Sequence, residues 1–141
     1  MSFYAIGQSL KTILDTVQTN SGRLANVYDY DSPDTDTGYP YATLTPKQAE
    51  EESLDTAFNQ TLYKFVIRAV DVNKDKATME ATMRKLADDI LGELRKGANQ
   101  TFGGTVDRVL PFTVSWGWEN TNNLPSRFFE VSVEVLKDFA I

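Results

Sequence analysis

Between Gln60 and Asp71 the chain alternates with a period of two. Tyr63, Phe65, Ile67 and Ala69 fall on one side, and Leu62, Lys64, Val66, Arg68 and Val70 on the other. Successive side chains of an extended strand point to opposite faces of a sheet, so this segment predicts a strand whose first face is core. Its second face sets Leu62, Val66 and Val70 beside a Lys and an Arg, more apolar surface than a wholly wet face carries. Any fold for this chain must therefore bury one face of a sheet and cover part of the other, and a second subunit is one candidate for that cover.

The same period recurs near the end. In Arg127 to Phe139, Phe129, Val131, Val133 and Val135 share a face opposite Phe128, Glu130, Ser132 and Glu134; in Val109 to Trp118, Leu110, Phe112, Val114, Trp116 and Trp118 share one. The Asn-rich stretch from Glu119 to Pro125 reads as the hairpin loop between these two strands. Two shorter extended segments, Leu24 to Tyr30 and Tyr39 to Leu44, read as a hairpin with a long, aspartate-rich tip. Thr45 to Asn59 is polar and acidic and reads as a loop or flap.

Helical spacing appears twice. Phe3, Ile6, Leu10, Ile13, Leu14 and Val17 recur at three and four, with Lys11, Asp15 and Gln18 on the opposite face. Ser2 is placed to cap this helix, and the run from Thr19 to Gly22 ends it. From Lys76 to Lys96, Met79, Met83, Leu86, Ala87, Ile90, Leu91 and Leu94 form one stripe, closed by Arg95, Lys96 and Gly97. The expected fold is one α+β domain over residues 1–141. Its element order is αβββαββ, a mostly antiparallel sheet packed on two helices.

Composition removes most catalytic chemistry. The 141 residues include no Cys and no His, which leaves no disulfide, thiolate nucleophile, Cys/His zinc site or imidazole catalysis within one chain. No cofactor is implied. No window approaches the roughly 20 apolar residues of a membrane-crossing helix, and the amino terminus lacks a basic region followed by a long apolar run. No membrane partner is expected, and the cytoplasm is the expected site of synthesis. The net charge of -6, from 14 basic and 20 acidic residues, argues against a surface that grips nucleic acid.

Four clusters could still hold chemistry. Asp29, Asp31, Asp34 and Asp36, followed by Gly38, suggest a cation loop, the basis of a calcium-dependent binding module as an alternative function. Counted from each aspartate, however, the position that an EF-hand loop fills with bidentate Glu holds Pro40, Ala42, Thr45 or Lys47. An exposed turn with aspartates capping backbone amides accounts for the same residues. Glu50, Glu51, Glu52 and Asp55 lack the apolar surroundings that separate the pKa values of catalytic carboxylates, and Glu80, Asp88, Asp89 and Glu93 read as the wet face of the second helix. Gly97, Gly103 and Gly104 lead from a helix into a strand, the reverse of a phosphate-binding turn. Trp116, Trp118, Phe128 and Phe129 have only Arg108 and Arg127 nearby, so core packing with some interface use accounts for them better than base stacking. No active site emerges.

The order of elements, with "VYDYD" turning into "GYPYATLTP", then "YKFVIRAV", "MRKLADDILGEL" and "FFEVSVEVLKD", resembles the small head-tail joining proteins of long-tailed bacteriophages. In particular it resembles their tail terminator (tail completion) proteins. That resemblance implies a non-enzymatic virion protein. Its subunits would form a homo-oligomeric ring, usually a hexamer, on the head-proximal end of the tail tube. The implied partners are the tail tube protein and a neck or head-completion protein, with DNA passing through the lumen without specific binding. The implied location is the virion, in the tail or neck, after assembly in the host cytoplasm. A neck or head-completion connector is the alternative within the same class. The residues expected at interfaces are Tyr28, Tyr30, Tyr39 and Tyr41 beside the aspartates, Leu62, Lys64, Val66 and Arg68 on the second strand face, and Asn120 and Asn122 in the late loop.

Overall fold

Two helices lie on one face of a six-stranded, mostly antiparallel sheet. In this computed structural model residues 2–30, 38–53, 58–72, 75–102, 106–121 and 123–140 are described. The elements are α1 (Ser2–Ser21), β1 (Asn26–Tyr28), β2 (Tyr41–Ser53), β3 (Phe58–Val72), α2 (Lys76–Leu94), β4 (Arg108–Val109), β5 (Thr113–Thr121) and β6 (Leu124–Ala140). The α+β class and the αβββαββ order hold, with the expected fourth strand divided into β4 and β5.

Strands β3 and β6 are the spine, paired antiparallel from Phe58↔Ala140 to Val72↔Ser126. The alternation read from the sequence decides which face is core. Phe65, Ile67, Ala69, Phe129, Val131, Val133 and Val135 are buried under the helices together with Ile6, Leu10, Leu14, Met79, Met83, Leu86 and Ile90. Helix α1 ends where Gly22 takes φ +68 and its amide reaches the Gln18 carbonyl, a left-handed conformation that glycine adopts without the usual Cβ penalty. Helix α2 starts on Asp75, whose carboxylate accepts from the amides of Ala77 and Thr78.

Three expectations are corrected. First, β1 and β2 pair in parallel, Asn26↔Tyr41 to Tyr28↔Thr43, so they are not a hairpin. A period-two pattern fixes which face a side chain takes but not the direction of the neighbouring strand. Second, Pro46 to Ser53 is strand, not loop: β2 continues past a bulge between Pro46 and Gln48 and pairs with β3 as far as Ser53↔Asn59. Its side chains are exposed, and backbone hydrogen bonds to β3 hold it without an apolar pattern. Third, most of the stretch expected as a loop, Glu119 to Pro125, is strand: β5 runs to Thr121 and β6 begins at Leu124, with Asn123 before it at φ 65. After α2 a 3-10 turn lies at Gly97–Asn99, and Phe102 and Val106 are buried in the core.

Candidate functional site

The face of the sheet away from the helices has no covering element among the described residues. Of the residues expected there, Leu62, Lys64, Val66 and Arg68 are half-buried, and Val70 is buried. Phe128, Glu130, Ser132, Glu134 and Leu136 of β6 line the adjoining row. The face is held by charge pairing across strands. Arg68 Nη2 donates to Glu119 Oε1 at 2.6 Å, its Nη1 lies 4.0 Å from Glu130, and its guanidinium stacks 4.1 Å above the Phe128 ring. Lys64 lies 3.6 Å from Glu50. The strand therefore mixes apolar and neutralised polar groups, a composition that a protein partner can cover without stranding a charge.

The four tyrosines singled out by sequence come together at the β1 edge. Tyr28 meets Tyr30 with ring centroids 5.5 Å apart and Tyr41 at 6.3 Å, and Tyr41 meets Tyr39 at 5.6 Å. The parallel register makes this possible: Tyr28 lies opposite Thr43, one residue-pair along the same face from Tyr41. Tyr39 precedes Pro40 through a cis peptide bond, and the Pro40 carbonyl accepts from the Ala25 amide at 2.7 Å. Tyr30 is the most exposed of the four, at 57%.

The opposite edge carries a feature the sequence did not reveal. Trp116 and Trp118 lie on the helix side of β5, 38% and 48% exposed, with the Arg127 guanidinium 4.9 Å from both rings. Arg127 Nε sits 2.8 Å from Glu80 Oε2, and its Nη2 donates to Glu80 Oε1 at 3.2 Å. Glu80, expected on a wet helix face, is instead shared between Arg127 and Arg84. Burial acts to raise its pKa, but hydrogen bonds from Arg127 and Arg84 outweigh it and hold the carboxyl below the usual range. The signal was present in the sequence as Glu80, which stands one position beyond the buried Met79 on the helix stripe, but its partner lies 47 residues away.

Asn120 is an exposed residue of β5, not of a loop, while Asn122 lies outside the described residues. So do Asp31, Asp34 and Asp36 of the aspartate-rich segment, and Asp55; Asp29 and Glu50 to Glu52 are exposed. Among the described residues no three acidic side chains gather as cation ligands, and no helix is long and apolar enough to cross a membrane. Two further carboxylates depart from ordinary behaviour. Burial raises Asp71, against a weaker lowering by the Val72 amide, and the Thr78 hydroxyl, with amides of Thr78 and Ala77, lowers the capping Asp75.

No family model matches this sequence, and no curated protein is significantly similar to it. Among solved structures the chain is similar to one in the virion of a native gene transfer agent particle, with a TM-score of 0.58 at 14% identity, covering 99% of this chain and 98% of that one. The two share a fold along nearly their whole lengths.

Proposed function

We propose that this chain is a structural, non-enzymatic protein of a phage-like virion, forming a ring at the head-proximal end of the tail tube that ends tail growth and joins tail to neck. The observation that carries the reading is the whole-length fold shared with a chain of a virion particle. The arrangement of the molecule supports it: an uncovered, half-apolar sheet face and an aromatic cluster at each edge. The proposed ring is a hexamer, with the tail tube protein below it and a neck or head-completion protein above. A net charge of -6 suits a lumen through which DNA must slide, since like charge keeps the phosphate backbone from adhering.

The test is a deletion in the producing strain, followed by electron microscopy of its particles. Tails of uncontrolled length that fail to join heads are expected, with restoration by the wild-type chain. Normal, joined particles lacking this chain would overturn the proposal. Density for the chain on the portal side, with tails of normal length, would assign it to the head-completion position instead.

A further inference from the structure

The sheet ends on two edges that differ in strand direction and in charge. On one side, β1 covers only Tyr41 to Thr43 of the outer edge of β2, and from Leu44 to Ser53 no described strand lies against it. On the other side, β5 pairs with β6 from Thr113 to Thr121, and no described strand lies beyond it. Each junction from β2 through β3 and β6 to β5 is antiparallel, so β2 and β5 run in opposite directions. A second copy that extends the sheet would lay its β2 antiparallel on β5, repeating the pairing found within the sheet.

A row-for-row extension is blocked. Tyr28 aligns through Thr43, Arg68 and Glu130 with Ser115, so the β1 strand of the incoming copy would occupy the place of β5. The incoming copy has to slide along the strand direction until its outer β2 arm, Thr45 to Ser53, meets β5. Charge favours that placement. Glu51 and Glu52 on the arm are exposed, and no cation among the described residues lies within ion-pair distance of them. At the Trp118 end of β5, Lys76 likewise has no carboxylate partner among the described residues, and its ammonium stands 5.8 Å from the exposed Trp118 ring. One cation, Lys47, stands on the arm itself.

We infer that β5 receives the outer β2 arm of a second copy of this chain as an added antiparallel strand, which covers Trp116 and Trp118 and brings the helix-side Glu51 of the arm toward Lys76 beside Trp118. This deepens the ring reading and rests on it. Because the two surfaces are different, the contact is heterologous and propagates around a closed ring instead of stopping at a dimer. It also accounts for two exposed tryptophans on an edge strand, where bare backbone and large aromatics together invite unwanted pairing.

The absence of native cysteine makes a direct test possible. Glu50→Cys is combined in turn with Ser115→Cys and Glu119→Cys, both exposed and on the same sheet face as Glu50, so that the two pairs bracket the slides that carry the incoming β1 to the end of β5 or beyond it. Within one chain β2 and β5 are three strand spacings apart, about 14 Å, too far for a disulfide, which needs Cα atoms within about 7 Å. Mild oxidation of the concentrated chain and of purified particles is expected to give a ladder of covalent multimers from at least one pair, its upper limit counting the ring. A control pair, Glu50→Cys with Lys85→Cys on the exposed side of α2, is expected to give none. If no pair exceeds that control in particles that contain the chain, the inference is overturned. Absence of the chain from particles would overturn the ring reading, whatever the ladder shows.

Discussion

Arg127 Nε and Glu80 Oε2 stand 2.8 Å apart, joining β6 to α2 beside the two tryptophans of β5. The Arg127 side chain is 14% exposed and that of Glu80 22%, so solvent screens the pair only in part. Stacking of the guanidinium near Trp116 and Trp118 fixes its plane and leaves its fork directed at the helix.

Glu80→Gln should therefore destabilise the fold by about 1–3 kcal/mol, because it leaves Arg127 half-buried with a weakened partner. A cycle with Arg127→Gln should show a coupling of roughly 1 kcal/mol or more, measured by denaturant unfolding. The pH dependence has a definite sign. A carboxyl held below its ordinary value in the folded state stabilises fully above the ordinary glutamate range, and that contribution is lost as pH falls through the lowered value. Unfolding curves of wild type and Glu80→Gln should converge in acid; a gap that stays constant would refute the assignment.

Asp71 has the opposite sign. Burial raises its pKa, so the ionised form opposes folding at neutral pH, and the penalty fades as pH falls through the raised value and is gone below the ordinary aspartate range. Asp71→Asn should raise the melting temperature by a few degrees at pH 7 and have little effect near pH 3. A lower melting temperature at pH 7 would mean that the carboxylate makes a stabilising contact that the amide cannot replace.

How far the sequence reached follows from what alternation encodes. Phe65, Ile67, Val131 and Val133 announced both their strand and their core face, since a strand buried on one side must repeat every second residue. Met79, Met83, Leu86 and Ile90 did the same for α2. The outer half of β2 carries no such mark: Gln48, Glu50 and Glu52 pair with Lys64, Leu62 and Gln60 through backbone, which any side chain permits. The parallel pairing of β1 with β2 was equally hidden, because strand direction is decided by the path of the chain and not by local composition. The tyrosines of "VYDYD" and "GYPYA" could be singled out one by one, but their convergence depends on that parallel register. Trp116 and Arg127 were read together and Glu80 apart from them, and nothing in their local spacing joins the helix carboxylate to the strand guanidinium.

Gly117 shows what the sequence concealed at a single position. It stands directly opposite Phe128, and a Cβ added there would lie 2.4 Å from the Phe128 ring, which already supports the Arg68 guanidinium. A ring laid over a glycine on the neighbouring strand shields backbone that no side chain covers. Gly117→Ala should cost about 1–3 kcal/mol by displacing the ring and with it the Arg68 stack. Adding Phe128→Leu should recover part of that loss, seen by thermal melting, because the smaller side chain leaves room for the new methyl. Equal melting of Gly117→Ala and wild type would show that the ring moves aside freely.

The two faces of the sheet can be separated by one comparison. Val133 is wholly buried beneath the helices, whereas Val66 is half-buried on the uncovered face. Val133→Asp would place a carboxylate where no cation or donor awaits it, at a cost of about 3–5 kcal/mol, so most of the chain should unfold. Val66→Asp leaves the new charge in reach of water in the isolated chain and should shift its stability by about 1 kcal/mol or less. If a neighbouring molecule covers that face, the same charge becomes desolvated only on assembly, and association should weaken by about 2 kcal/mol or more. Circular dichroism melting paired with sedimentation of assembled particles measures both terms. Equal loss of folded chain in the two variants would show that Val66 belongs to the ordinary core. A folded Val66→Asp chain that enters particles as well as wild type would show that the uncovered face stays open to solvent.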